Sequence, residues 1–222
     1  MFRSRFFVLL IVVFGFGWVT VIGQQTEDDC PAYVQQVLTE LDRVCSSVQR
    51  NQVCNANTRV NATPAAENTR FSFDVGDSVG IEAIDGLRLS PLNQRRGEWG
   101  IVLMRVQANL PDAYPGQNVT LVAFGATKVT PLFSGADRHL GHEFRLETRI
   151  GRLECSAAQL DGLLIQSPAG TRRVELTING VDFLFGSTVF LTAVPGQAMT
   201  IRTLEGAAYV RTAQGESLAP AG

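Results

Sequence analysis

The sequence predicts a mainly β protein, with an N-terminal amphipathic helix followed by β-sandwich- or β-roll-like sheets stapled by disulfides. Three observations predict it. Short runs of alternating apolar and polar residues follow one another through the second half of the chain, each closed by a turn rich in Gly, Pro, Asn or Ser. One N-terminal stretch carries apolar residues at helical spacing. Four cysteines follow an apolar leader, the pattern of a chain exported to an oxidising compartment.

The leader sets the context. Arg3 and Arg5 precede residues 6–22, a run without a charge, and Val21-Ile22-Gly23 places Val at −3 and Gly at −1 of a cleavage site. Residues 1–23 are therefore expected to be a signal peptide. The alternative is an uncleaved anchor, for which a run of 17 residues is at the short end. The rest of the chain is expected to be secreted or at the cell surface, touching a membrane only if the leader stays on. With 222 residues, 45% hydrophobic and 18% charged, it holds enough apolar material for one or two cores and too much for disorder. A net charge of −2 provides no basic face, which argues against a nucleic-acid partner.

The helix is expected to start at Asp28 or Asp29 as cap, with Pro31 in its first turn. Tyr33, Val34, Val37, Leu38, Leu41, Val44, Cys45 and Val48 form its apolar face. Cys30 and Cys45 then share one helix, where fifteen residues span roughly 22 Å, against the ~4.4–6.8 Å between bridged Cα atoms. Two pairings remain: Cys45–Cys54 with Cys30–Cys155, or Cys30–Cys54 with Cys45–Cys155. The first is preferred, because the eight residues between Cys45 and Cys54 cross one turn. A zinc site is disfavoured by the absence of any C-x-x-C pair.

After the helix, residues 55–69 are expected to form an extended loop or edge strand, and residues 78–89 a short helix. Residues 98–107 alternate with both faces mostly apolar, which predicts a central strand. Residues 118–130 are expected to form one long strand bent at Gly125. Six short strands follow, over 163–166, 172–178, 181–185, 188–193, 199–204 and 207–212, with Asn179-Gly180 as the strongest hairpin signal. The expected division is a helix-plus-β domain over 24–160, a short-strand β domain over 161–215 and a tail over 216–222.

Gly162-Leu-Leu-Ile-Gln-Ser-Pro-Ala-Gly170, Leu176-Thr-Ile-Asn-Gly-Val-Asp-Phe183 and Met199-Thr-Ile-Arg-Thr-Leu-Glu-Gly206 together resemble the FecR-type β domain. Ser167-Pro168-Ala169-Gly170 stands for that family's "TPxG" step. Gly180-Val-Asp-Phe183 stands for its "GT-x-F" step, with Val181 in place of Thr, and Leu204-Glu205-Gly206 for its closing strand pair. Cys30-Pro31, Leu89-Ser-Pro-Leu92, Ala108-Asn-Leu-Pro111 and Pro115-Gly-Gln-Asn-Val-Thr120 look like an uncharacterised family of bacterial exported proteins. The two resemblances imply an extracytoplasmic β protein. Only residues 1–5 precede the apolar run, whereas FecR-type regulators carry a cytoplasmic segment there, so signal relay across the membrane is not expected.

Candidate sites are few. His139 and His142 form an H-x-x-H pair flanked by Asp137 and Glu143, chemistry that suits zinc or copper, although the glycines around it favour a solvated loop. No G-x-S-x-G or H-E-x-x-H occurs, and Ser134, Ser187 and Ser217 sit in turn contexts. Asp74, Asp77, Glu82, Glu98 and Glu147 are expected to be surface charges. Asn61 and Asn118 begin glycosylation patterns, and Arg95-Arg96 and Arg172-Arg173 are pairs too short for a basic patch. Trp99, Tyr114, Phe124 and Phe133 would make a sugar-stacking platform if exposed together, with Trp99 expected in the core. The chain is thus expected to be a non-catalytic extracytoplasmic binding or structural module, without a cofactor, whose partner is a protein or cell-surface polymer. The alternatives are a membrane-anchored surface sensor or assembly accessory, and a metal-binding or hydrolytic protein using His139 and His142.

Overall fold

The computed structural model describes residues 29–66, 72–93, 95–107, 118–132, 143–149, 161–168 and 174–221. A single helix, α1 (Asp29–Val44), opens the described chain. Eight strands follow: β1 (Gln52–Asn55), β2 (Val60–Pro64), β3 (Ser78–Gly80), β4 (Ile84–Leu89), β5 (Ile101–Val106), β6 (Val119–Phe124), β7 (Thr127–Pro131) and β8 (Glu143–Thr148). Seven more complete it: β9 (Gly162–Gln166), β10 (Val174–Ile178), β11 (Val181–Phe185), β12 (Thr188–Thr192), β13 (Thr200–Glu205), β14 (Ala207–Thr212) and β15 (Gly215–Pro220).

The strands form two sheets, ordered β13-β12-β9-β6-β5-β1-β3 and β15-β14-β11-β10-β8-β7-β4-β2. Neighbours are antiparallel except for β8 and β10, which run parallel. One face of the first sheet packs on the second. Met104, Leu121, Ile165 and Leu191 from the first meet Leu87, Phe144, Leu176 and Phe183 from the second in one core. The opposite face of the first sheet is also apolar. Ile101, Leu103, Val122 and Phe190 lie there under Leu41, Cys45 and Val48, at and just beyond the end of α1. The molecule is therefore layered helix, sheet, sheet, and burial explains the sequence: Ile101–Met104 is apolar at every position because both faces of β5 are covered. Each such side chain contributes about 1.5–3 kcal/mol relative to exposure.

A disulfide joins Cys45, just past α1, to Cys54 in β1, with Cα atoms 5.8 Å apart. Both residues lie in the helix-side core. The preferred pairing thus holds for this bridge. Its companion, Cys30–Cys155, involves Cys155, which lies outside the described residues.

Several expectations need correction. Residues 78–89 are not a helix but β3, a 3-10 turn (Ile81–Ala83) and β4. The turn brings Ile81 and Ile84 to one side at a spacing of three, while Leu87 and Leu89 alternate as in a strand, so two periodicities overlap. The stretch 118–130 is two strands in different sheets, β6 and β7. Gly125, at φ +74°, turns the chain from one sheet to the other, and the Thr127 hydroxyl donates to the Phe124 carbonyl at 2.7 Å across that corner. The expected tail contains β15, paired along its length with β14. The expected division at 160/161 does not separate two cores: β9 inserts between β6 and β12, and strands from both sides of it fill the shared interior.

Replacing Cys45 and Cys54 together by alanine is expected to lower stability by about 2.7 kcal/mol, the loop-entropy value for a bridge of this span. Urea unfolding checks this: the midpoint falls while the native near-UV spectrum persists. An unchanged midpoint contradicts it.

Candidate functional site

The geometry that distinguishes the second sheet is a split beside its parallel pair. β8 pairs with β10 only at Thr177–Glu143 and Ile178–Phe144. Beyond that point β10 reverses through Asn179-Gly180, both at positive φ (54° and 74°), as a tight hairpin into β11 requires. The rest of β8 would have an open edge, and two devices satisfy it. The Asn179 carboxamide behaves like one more residue of the ladder: its Nδ2 donates to the Leu146 carbonyl at 2.9 Å, and its Oδ1 accepts the Leu146 N–H at 2.8 Å. Further along, the Thr148 N–H donates to the Ala193 carbonyl at 2.8 Å, and the Ala193 N–H donates to Thr148 Oγ1 at 2.9 Å. The end of β12, from the other sheet, thus closes what β10 leaves open.

This divergence opens a cleft of about 740 Å³ between the 179–180 turn and the loop at 194–199. Leu132, Arg145, Asn179, Gln197 and Met199 line it, with Glu143 and Glu147 beside Arg145 on the same face of β8. Glu147 pairs with Lys128 at 3.6 Å. Arg145 is exposed and makes no ion pair with another described residue. The cleft therefore offers one guanidinium, the carboxylates of Glu143 and Glu147, the Gln197 amide, the Asn179 amide already bonded to Leu146, and the peptide groups of two turns, beside apolar contact from Leu132 and Met199.

A second charged feature lies at the start of β9. Asp161 is 1% exposed, and its Oδ2 stands 3.6 Å from Nε of Arg149, the residue that follows β8. Burial raises the Asp161 carboxyl above its ordinary value of 3.8, while the charge and backbone N–H of Arg149 oppose that rise. The pair ties the end of β8 in the second sheet to the start of β9 in the first.

The candidates drawn from sequence fall in separate places. His139, His142, Ser134, Tyr114, Phe133, Arg172 and Arg173 lie outside the described residues. Trp99 is fully buried, edge-on to Phe124 at 5.5 Å, and Phe124 stacks on Phe190 at 5.8 Å, so Trp99 and Phe124 are core and offer no stacking platform. The Ser187 hydroxyl donates to the Ala207 carbonyl at 3.2 Å, and Ser217 is exposed on β15. The acids are scattered. Asp77 accepts the Asp74 N–H at 2.9 Å within a turn, Glu98 pairs with Arg59 at 3.3 Å, and Glu82 lies in the 3-10 turn. Asn61 is exposed on β2, and Arg95 and Arg96 are exposed beside the bridge that joins Asn93 to Glu98. Among the described residues no group of three or more His, Cys, Asp or Glu side chains is placed to hold a metal ion.

No family model, curated protein or solved structure matches this chain.

Asn179 carries both a left-handed backbone and two ladder bonds, and these separate by substitution. Asn179→Gly keeps the backbone and strands the Leu146 groups, at a cost of about 1–3 kcal/mol. Asn179→Ala adds about 1 kcal/mol of backbone strain. Equal stability of both variants and wild type in urea contradicts the ladder role.

Asp161 gives a pH prediction. A carboxyl whose folded value is raised stabilises the fold fully below the unfolded value, and that contribution is lost as pH rises through the raised value. Asp161→Asn, which cannot ionise, is expected to gain stability relative to wild type as pH rises from the unfolded carboxyl value towards the raised folded one. A pH-independent difference in paired urea melts contradicts this.

Proposed function

We propose that this chain is an extracytoplasmic, non-catalytic binding module that holds an extended segment of a protein or cell-surface polymer in the cleft beside β8. The carrying observation is the split of β8 from β10. It leaves an open cleft of about 740 Å³, a size common for ligand sites, lined by peptide groups, two amides, two carboxylates and one guanidinium. That mixture suits a chain of repeated amide or hydroxyl groups, which can exchange hydrogen bonds with turns along its length. Two features support the export part of the reading. The buried Cys45–Cys54 bridge fits an oxidising compartment, and residues 1–23 have the composition of a leader. Among the described residues no helix is long and apolar enough to cross a membrane. The resemblance to FecR-type β domains agrees with a role outside the cytoplasm.

The test is titration of the labelled protein with soluble fragments of cell-surface polysaccharide and, separately, with unstructured peptides. Amide shifts are expected at Gly180, Gly196 and Gln197, and Arg145→Ala should weaken binding by about ten-fold or more, the loss of a charge-assisted hydrogen bond. Shifts confined to other surfaces, equal binding by Arg145→Ala, or turnover of the added polymer by the purified chain would each contradict the reading.

A further inference from the structure

Among the described residues the second sheet ends at β15, whose one strand neighbour is β14. The register fixes which of its backbone groups face outward. Thr212 and Gly215 flank a two-residue reversal and so exchange both of their main-chain bonds. Bonded and non-bonded pairs then alternate: Val210–Ser217 and Ala208–Ala219 are bonded, and the Ala221 N–H donating to the Gly206 carbonyl at 3.1 Å continues the series. The intervening residues Glu216 and Leu218 therefore direct both N–H and C=O away from β14, and Pro220 directs only its C=O.

The side chains at this edge are as informative as the backbone. On the face turned away from the core between the sheets, Leu184, Tyr209 and Leu218 lie opposite one another across β11, β14 and β15. Leu184 is 2% exposed, but Tyr209 and Leu218 are 45% and 56% exposed. An apolar row thus runs outward across the sheet and stops at an open edge, the arrangement that favours pairing with another strand.

We propose that β15 is a seam where two copies of this chain join, antiparallel, about a two-fold axis through Leu218. In that register Leu218 exchanges two bonds with its counterpart, and each Glu216 N–H donates to the Pro220 carbonyl of the other copy, four bonds in all. The missing N–H of Pro220 leaves only a solvent-facing carbonyl unpaired. The row becomes Leu184, Tyr209, Leu218 and then the same three in reverse, continuous over both molecules. Charge selects this register. The two Glu216 carboxylates lie four residues apart along the strand, roughly 14 Å at the usual rise, and each keeps its own Arg211 at 3.2 Å. The adjacent register, centred on Ser217, sets Leu218 against Glu216 and halves the offset between the two carboxylates. A foreign strand would meet the same backbone groups but would not repeat the apolar row, which is why a second copy fits this edge better.

The experiment uses the full chain carrying one added cysteine. Leu218→Cys places two thiols on a bonded pair whose Cα atoms lie ~5.5 Å apart, inside the bridging range. Glu216→Cys places them too far apart to bridge. Under mild oxidation Leu218→Cys is expected to form at least about ten-fold more covalent dimer than Glu216→Cys, with wild type as the background. Sedimentation of Leu218→Pro is the second arm. It removes the outward N–H and no bond to β14, so it should remain monomeric where wild type dimerises with increasing concentration. Equal cross-linking of the two cysteine variants overturns the proposal. So does a wild-type chain that stays monomeric, including one that instead captures an unrelated strand peptide at β15.

Discussion

The first sheet is apolar on both faces, and that constraint shapes everything packed around it. A strand such as β5 cannot present either face to water, so one side needs a second sheet and the other a helix. The second sheet supplies the larger cover. On the other side lies α1, and the disulfide from Cys45 to Cys54 fixes the end of the helix directly to β1. Trp99, Phe124 and Phe190 add a line of contacting rings to that face.

The second sheet takes strands from both parts of the chain, and the parallel β8–β10 pair is where they meet. A parallel pairing of two residues holds little by itself. Asn179, Thr148 and Ala193 complete the hydrogen bonding that it leaves undone, so β8 ends tied to both sheets. The cleft is a consequence of this compromise: β8 and β10 part, and the described residues of the 179–180 turn and the 194–199 loop line the gap. Arg149 and Asp161 form a second tie between the layers, one that combines a buried carboxyl with an exposed guanidinium. Such a pair is better suited to fixing where a strand begins than to adding net stability.

Much of the fold was legible because burial writes a direct pattern into sequence. The central strand at 98–107 stood out through its two apolar faces, and β9 to β14 through alternation between turns. The short bridge at Cys45 and Cys54 followed from loop length. Other features were hidden for physical reasons. Gly125 marked a bend, but whether a bent strand stays in its sheet depends on partners distant in sequence. β15, with Gly215, Glu216, Ser217 and Pro220, has almost no apolar alternation because one of its faces and one of its edges meet water. β8 was obscured by the glycine-rich residues before it. The cleft was less legible still. Asn179 was visible as a turn residue, yet its role as a surrogate ladder residue depends on Leu146, thirty-three positions away. Arg145 looked like any surface cation until the strands beside it were seen to part.

The layered sandwich also implies that residues on either side of 160 unfold together, since β9 has β6 and β12 as its two neighbours. Native-state amide exchange, read as a function of low denaturant, tests this most directly. The slowest amides of β5, β6, β9 and β12 should converge on one opening free energy equal to that of global unfolding. If the strands from β9 onward open as a separate unit while β5 and β6 stay protected, the shared core is wrong.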